Sequence, residues 1–393
     1  MPKVEASIPV DIAVIGGGPV GMTLALAMKE SAHSVLVVDK RPFAAQAADP
    51  RALALSHGTR LLLASLGVWP EKRATAIHDI HVSQRGGFGR ARMTAAEHGL
   101  PALGYVLRYR DLAAALQSAA SRLPRLAVRQ ETEVAALRPL PDGEGIDVTL
   151  LESGAPRQYR ARLVVHAEGA PADDAADVRV ADYRQHAVIC DVRPDRPHEQ
   201  RAWERFTPDG PLALLPLEEG FSIVFTVPPE KADFLMSLAE ADFLRELSRQ
   251  FGSRFGFVAA SRRDRFPLFL RERQRLVEGV EVWIGNAAQT LHPVSGQGFN
   301  LGLRDAWLLA EELNACANLG DPARLRHALS TYAARRVLDR KGGAFFTDTA
   351  VRLFSNDWSP LRWLRGMGLL GLDLLPPARN FIARRMIWGA RAW

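Results

Sequence analysis

The run "VDIAVIGGGPVGMTLALAMKESAHSVLVVDK", residues 10 to 40, constrains this chain more than any other. Its opening "VDIAVIG" alternates little and is rich in Val and Ile, as expected of a strand buried on both faces. It runs into Gly16, Gly18 and Gly21, spaced as GxGxxG, and then into a helical stretch, "PVGMTLALAMKES". A second β-rich run, "SVLVVDK", follows and carries Asp39. The order is strand, tight turn, helix, strand. Gly16 permits the sharp turn, Gly18 lets backbone approach a pyrophosphate, and Gly21 allows close helix–strand packing. The helix N-terminus favours the pyrophosphate charge. Asp39 lies 18 positions after Gly21, where an acid accepts hydrogen bonds from a ribose. The pattern predicts dinucleotide binding and disfavours a 2′-phosphate, which would meet the Asp39 carboxylate. It does not separate NAD from FAD, since both carry ADP.

A related pattern returns at "VEVWIGNAAQTLHPVSGQGFNLGLRDAWLLAEEL". A strand is expected at 281–284, then a loop broken by Pro293, Gly296 and Gly298. A helix is expected to begin near Phe299 and run past Leu313, with Leu301, Ala306, Leu309, Ala310 and Leu313 near one face. A helix N-terminus behind a glycine loop offers free N–H groups and positive partial charge. A flavin ring needs both, because its pyrimidine edge carries carbonyls and its reduced form is an anion. Two glycine sites about 270 residues apart suit a ligand with two ends, ADP at one and flavin at the other. His292 is a candidate acid or base here, with a structural role as the alternative.

Between the two clusters, residues 51 to 66 read as a helix with Arg51 near its start, placed to reach a phosphate or to sit solvated. A helix is expected near 110–122, β segments at 125–138 and 146–152, and a buried strand at 162–170. From 176 to 275 short β-rich runs ("HAVICDV", "PLALLPL", "FSIVFTV") lie between Pro/Gly turns, with one helix near 239–250. That texture predicts an antiparallel or mixed sheet. The two cysteines, Cys190 and Cys316, form no disulfide framework or metal motif. No apolar stretch reaches the roughly 18–20 residues of a transmembrane helix. The net charge is +6, and residues 360–393 hold six arginines against Asp373 alone. The basic balance is therefore mostly a property of the tail, and nucleic acid is not the inferred partner.

At these residues the sequence resembles the single-component flavin-dependent aromatic hydroxylases, in their ubiquinone-biosynthesis branch. The matching passages are "VIGGGPVGMTLALAM", "DPRALALSHGTRLLLASLGVW", "IHVSQRGGFG", "AWERFTPDGPLALLPL", "IGNAAQTLHPVSGQGFNLGLRDA" and "LFSNDWSPLRWLRGMGLLGLDLLPPAR". They span nearly the whole chain, in order. The resemblance implies an α/β fold: a Rossmann-type FAD-binding domain with an inserted mixed β-sheet substrate domain and C-terminal helices. The FAD-binding domain would comprise 1–80, 101–175 and 276–340. The substrate domain would comprise 81–100 and 176–275, and the helical region 341–393. It also implies FAD as cofactor and NAD(P)H as transient reductant. The reduced flavin would activate dioxygen for attack on an electron-rich ring, that of a polyprenylated methoxyphenol. The cofactor carries that chemistry while the protein orients the ring and excludes water.

Carried over by position, Gly16, Gly18 and Gly21 would line the pyrophosphate and Asp39 would take the ribose. Arg51 matches an arginine near the FAD, and Asn286 holds the place of an Asp that contacts the ribityl chain. Pro293 to Asn300, including Gly296, Gly298 and Phe299, would run along the flavin, and His292 with Pro293 would face it. Two departures stand out. Glu168-Gly169 replaces the usual Asp-Gly, and residue 286 is Asn. Alternative readings are a hydroxylase of another small phenol, or a weakly catalytic flavin-binding subunit of a quinone-biosynthesis complex. The tail reads either as packed helices with a basic outer face or as a peripheral contact with the inner membrane or such a complex. The expected location is cytoplasmic, at or near that membrane.

Overall fold

The computed structural model describes residues 7–141, 143–172, 175, 177–292, 296–354 and 359–389. The first glycine stretch folds as its pattern dictates: strand Ile8–Ile15, helix Pro19–Ala27 and strand Val35–Val38. Ile12 and Val14 are fully buried, each stabilising the fold by about 1.5–3 kcal/mol.

Ile8–Ile15 lies inside a largely parallel sheet. Its neighbours are Val35–Val38 on one side and Ala155–His166 on the other, with Leu126–Arg129 and Glu281–Trp283 beyond. The chain order reverses about this strand, and in open parallel sheets ligands bind at the carboxyl ends of strands at such a point. Gly16 sits there. The hairpin Thr132–Pro139 and Ile146–Glu152 extends the sheet antiparallel against residues 155–161.

A second sheet runs in the order Gln289–Thr290, Asp264–Arg273, Val178–Pro194, Gly220–Val227, Gly210–Leu217, Arg201–Thr207, Asp79–Gln84, Arg90–Thr94. Its two faces differ. Val188, Leu212, Leu214, Ile223 and Phe225 are fully buried beneath helices Pro229–Ser237 and Glu240–Phe251. On the other face Ile189, Val224, Ala213, Leu215 and Val82 are only half-buried. A small antiparallel sheet, Ala52–Ser56 with Gly104–Arg108 and Thr75–Ile77, lies beside that second face.

Residues 51–66 correct the expected single helix. Ala52–Ser56 is a strand paired with Gly104–Arg108, and the helix is His57–Ser65. Ser56 is the divide, because its Oγ accepts the Thr59 N–H at 3.2 Å, a side-chain cap that starts a helix. The helix Pro322–Phe354, which packs along Gly298–Ala315, begins well before the helical region expected at 341–393. The tail forms two helices, Ser359–Leu374 and Pro376–Trp388.

Candidate active site

The first glycine turn is built by close approach. Gly16 has φ +108°, and a Cβ there would lie 2.4 Å from the Ala167 carbonyl carbon. A Cβ on Gly21 would lie 2.0 Å from the Gly16 oxygen, so the helix can sit this near the strand only without side chains. Gly18 is different, since the nearest atom to a Cβ there is the Tyr109 hydroxyl at 3.7 Å. It is the N-cap of Pro19–Ala27, with no side-chain cap and no acid in the first turn. The helix therefore presents uncompensated N–H groups, a fit for a diphosphate.

Asp39 is buried at the carboxyl end of Val35–Val38. Its Oδ2 accepts the Gly17 N–H at 3.0 Å and its Oδ1 accepts the Arg41 N–H at 2.8 Å. Oδ2 also accepts from Gln46 Nε2 at 3.4 Å; a carboxylate has about four acceptor positions, so one remains for a ribose hydroxyl. Arg51 is bound to Asp49, Nη2 to Oδ2 at 2.6 Å, and its guanidinium lies 5.2 Å from the Tyr109 ring centre. Tyr109 thus links Arg51 to the rim of Gly18.

The second cluster forms the turn Gly285–Ala287 and the helix Gly298–Ala315. Asn286 is exposed on that turn. Gly296 has φ +59°, and a Cβ on Gly298 would meet nothing within 4 Å. Helix Gly298–Ala315 also lacks a side-chain cap and a first-turn acid, the free N-terminus a flavin carbonyl edge needs. Pro293 lies outside the described residues. Phe299 packs half-buried against the main core.

Asn300 is occupied within the protein. Its Oδ1 accepts from Ser56 N (2.9 Å) and Thr59 Oγ1 (2.7 Å), and its Nδ2 donates to Ala54 O and Gly296 O. It clamps the glycine loop to the Ala52–Ser56 strand, leaving its backbone for any ligand. His292 is 1% exposed, with Nε2 3.2 Å from Gln185 Oε1 and its ring edge-on to Tyr183. Burial pushes its imidazole down to about 4, so it is neutral at pH 7. That suits an anchor between the glycine loop and the second sheet better than an acid.

Three further residues carried no sequence signal that was read. Asp305 is 1% exposed; its Oδ2 accepts the Gly285 N–H at 2.9 Å and its Oδ1 the Nε–H of fully buried Arg336 at 2.5 Å. This pair fixes the turn that carries Asn286. His166 lies at the end of Ala155–His166, stacked on Trp283 at 4.8 Å. Its Nδ1 is 3.2 Å from Glu168 Oε1 and its Nε2 2.8 Å from Glu281 Oε2. Burial opposes its charge, but the two carboxylates outweigh burial and hold the imidazole up at about 9. Glu168, the departure from Asp, is thereby oriented by an imidazolium. Glu204 is the third, and its place on the second sheet is taken up below.

The comparisons agree with this geometry. A family of FAD binding domains matches residues 9–339. The ubiquinone hydroxylase UbiL of Rhodospirillum rubrum is 34% identical over 95% of this chain and 88% of its own length. The 3-demethoxyubiquinol 3-hydroxylase of Escherichia coli is 31% identical over 93% and 95%. Among solved structures, p-nitrophenol 4-monooxygenase PnpA of Pseudomonas putida superposes with a TM-score of 0.73 at 17% identity, over 98% of this chain and 99% of that one. PqsL of Pseudomonas aeruginosa gives 0.75 at 22%, over 92% and 99%. With two uncapped helix N-termini, a buried acid at the end of the second strand and a matching fold, this chain belongs to the FAD binding domain family, as one of its FAD-dependent hydroxylases.

Proposed function

We propose that this chain hydroxylates the aromatic ring of a polyprenylated phenol on the route to ubiquinone, with NAD(P)H and dioxygen. The similarity to two ubiquinone-ring hydroxylases at 31–34% identity supports the ring class. One structural observation carries the reading further: the half-buried, mostly apolar face of the second sheet, to which the glycine loop is tied through His292 and Gln185. Such a face accepts a flat apolar ring and excludes water from it.

Bound FAD supplies the redox chemistry and the activation of dioxygen. The chain supplies the rest. Gly16, Gly18 and the N-terminus of Pro19–Ala27 hold the diphosphate, and Asp39 holds the ribose. The backbone of Gly296 to Asn300 meets the flavin edge, Asn286 reaches the ribityl chain, and neutral His292 keeps loop and sheet in register. The test is aerobic NAD(P)H oxidation by the flavin-loaded protein with a short-chain prenylated methoxyphenol, followed by mass analysis. A product heavier by one oxygen is expected; oxidation that yields only peroxide, whatever phenol is added, would overturn the reading.

The substrate's prenyl chain places it in a bilayer, and the tail supplies a docking face. No described helix is long and apolar enough to cross a membrane. Ser359–Leu374 nonetheless turns Trp363 (65% exposed), Leu364 and Leu374 outward, and Leu375 and Phe381 follow. Among the tail's described arginines, Arg365 is buried and Arg379 pairs with Glu97, while Arg384 is exposed. Further cations beside the apolar helix come from the second sheet and from the turn after helix Glu240–Phe251. Arg90, Arg205 and Arg254 outnumber Asp373 in lining an open basin of about 680 Å³ that also touches Leu370 of this helix. Apolar side chains beside a basic basin match an anionic bilayer. Trp363→Glu/Leu364→Glu is expected to abolish flotation with anionic vesicles. Equal flotation of variant and wild type, or binding that ignores lipid charge, would overturn docking at this face.

A further inference from the structure

Glu204 lies on the half-open face of the second sheet. It lies in strand Arg201–Thr207, between Val82 of the neighbouring parallel strand and Ala213 of the antiparallel one. The row continues through Val224 to Ile189. All four are apolar, and all are half-buried, whereas the residues that alternate with them across the sheet are sealed under helices. Strands send successive side chains to opposite faces, so Glu204 shares its face with Ala202 and Phe206. Trp203 and Arg205 point the other way, where Trp203 packs against Phe251.

The same face meets the glycine loop. Gln185, the partner of His292, also lies 3.1 Å from the site of a Cβ on Gly210, close to the Thr226 carbonyl. Gly210 pairs with Thr207 at the end of the strand that carries Glu204. Thr207 alternates with Glu204 across the sheet, so Glu204 lies three residues along its strand from the sheet end that Gln185 and His292 reach. Its Oε1 is sealed from solvent and makes no hydrogen bond among the described residues. A buried carboxyl oxygen without a partner is costly unless something else completes it. Such groups in native proteins call for a ligand, a water or a chemical task.

We propose that Glu204 is the catalytic acid–base group of this site, which accepts the hydroxyl proton of the bound phenol through Oε1; this rests on the phenol hydroxylase reading above. The proton passes from the phenol oxygen to Oε1, and the electron pair stays on the ring oxygen. The phenolate pushes electron density into the ring carbon that takes up oxygen. Dioxygen and NAD(P)H supply the oxygen atom and the two electrons. As the ring regains aromaticity its C–H proton leaves with the water formed, and Oε1 returns its proton to the ring oxygen. Burial with no facing cation pushes the Glu204 carboxyl up to about 8. That narrows the gap to a phenol at about 10, and a base close to the working pH is the efficient one. The charged and titratable groups near this face are His292, neutral; Asp264, which continues the row beyond Ile189 and is paired with Arg262; and Asp191 farther along the Val178–Pro194 strand, which is paired with Arg108.

The experiment compares flavin-loaded wild type with Glu204→Gln and Glu204→Asp, using a short-chain prenylated methoxyphenol and its O-methyl ether. Three quantities are read: kcat against pH, the ultraviolet band of bound phenolate, and flavin content. Glu204→Gln is expected to keep its FAD, lose kcat by about 10²–10⁴-fold, and lose the bound-phenolate band. Glu204→Asp should recover part of both. The O-methyl ether, which has no proton to give, should bind alike to wild type and variant. A Glu204→Gln protein that matches wild type in kcat, pH profile and phenolate band overturns the assignment. A wild type that ionises bound phenol through Glu204 yet releases only peroxide would instead overturn the reaction and leave the proton acceptor standing. If Glu204→Gln fails to fold while Glu204→Asp folds with an unaltered pH profile, the assignment is again overturned.

Discussion

Val20 of the first glycine helix fills a notch in the helix Gly298–Ala315: a Cβ on Gly302 would lie 3.1 Å from Val20 Cγ2 and 3.1 Å from the Gly285 Cα. A Cβ on Gly285 would likewise lie 3.1 Å from Val20 Cγ1. Residues some 280 positions apart in sequence are thus held in one contact. The two glycine turns become neighbours, which is what one ligand with an ADP end and a flavin end requires.

Gly302→Val should therefore break FAD binding without touching FAD. Overpacking of this kind costs about 1–3 kcal/mol, and the shift it forces separates the two turns. A rise of at least about tenfold in the FAD dissociation constant is expected. Gly302→Ala should show a milder loss, and Val20→Ala in the same chain should recover part of it, because contacting residues couple. Flavin fluorescence titration reads all three. Equal affinities across the set would disconnect the notch from the cofactor.

Asp305 gives a second prediction. Arg336 is fully buried and bonded to Asp305 and to Asp339. Breaking a buried pair by removing one partner costs about 3–5 kcal/mol, since the remaining charge is left uncompensated. Asp305→Ala should lower the urea midpoint accordingly and loosen the turn that carries Asn286. The variant would lose FAD affinity as well as stability. A variant of unchanged stability would mean that Asp339 alone satisfies Arg336.

His166 should make stability fall at alkaline pH. Its folded value, about 9, is above the ordinary 6.5, so the folded state binds the proton more tightly than the unfolded one. The gain is full below pH 6.5 and is lost as pH rises through about 9. The raw shift corresponds to about 3 kcal/mol, and solvent at half-exposed Glu168 reduces it to nearer 2 kcal/mol. Glu281→Gln should flatten the decline in Tm between pH 6.5 and 9. An identical pH slope in the variant would count against the imidazolium.

Much of this was legible in the sequence where a local pattern and its tertiary environment agree. The GxGxxG turn, Asp39 and the strand-rich middle read directly, because turn chemistry and hydrophobic period are local. The Ala52–Ser56 strand was misread as helix: "RALALS" contains good helix formers, and its strand state comes from pairing with Gly104–Arg108, which no window contains. Asp305 acquires meaning from Gly285 and Arg336, 20 and 31 positions away, and His166 from Glu281, 115 positions away. Glu204 is the extreme case, for its signal is the lack of a partner. Asn300 shows the converse, since its motif position suggests a ligand contact while its side chain is taken up entirely by Ala54, Ser56, Thr59 and Gly296.

The last prediction concerns the acid side. His292 is buried and its value is pushed down to about 4 by burial. The folded state therefore prefers the neutral imidazole, and folding gains from it above the ordinary 6.5. That gain is lost progressively as pH falls from 6.5 towards 4, where the ring must be protonated in place or the site must open. The loss is of order 3 kcal/mol, concentrated at the junction between the glycine loop and Gln185. FAD should consequently dissociate in this window before global unfolding. His292→Gln removes the titrating group and keeps a side chain able to donate to Gln185 Oε1. The variant should hold FAD down to about one pH unit lower than wild type, read by flavin fluorescence at fixed protein concentration. It should also show no change in kcat between pH 6.5 and 8, as a neutral anchor requires. Loss of turnover by Gln with FAD retained would instead give His292 a direct part in the reaction.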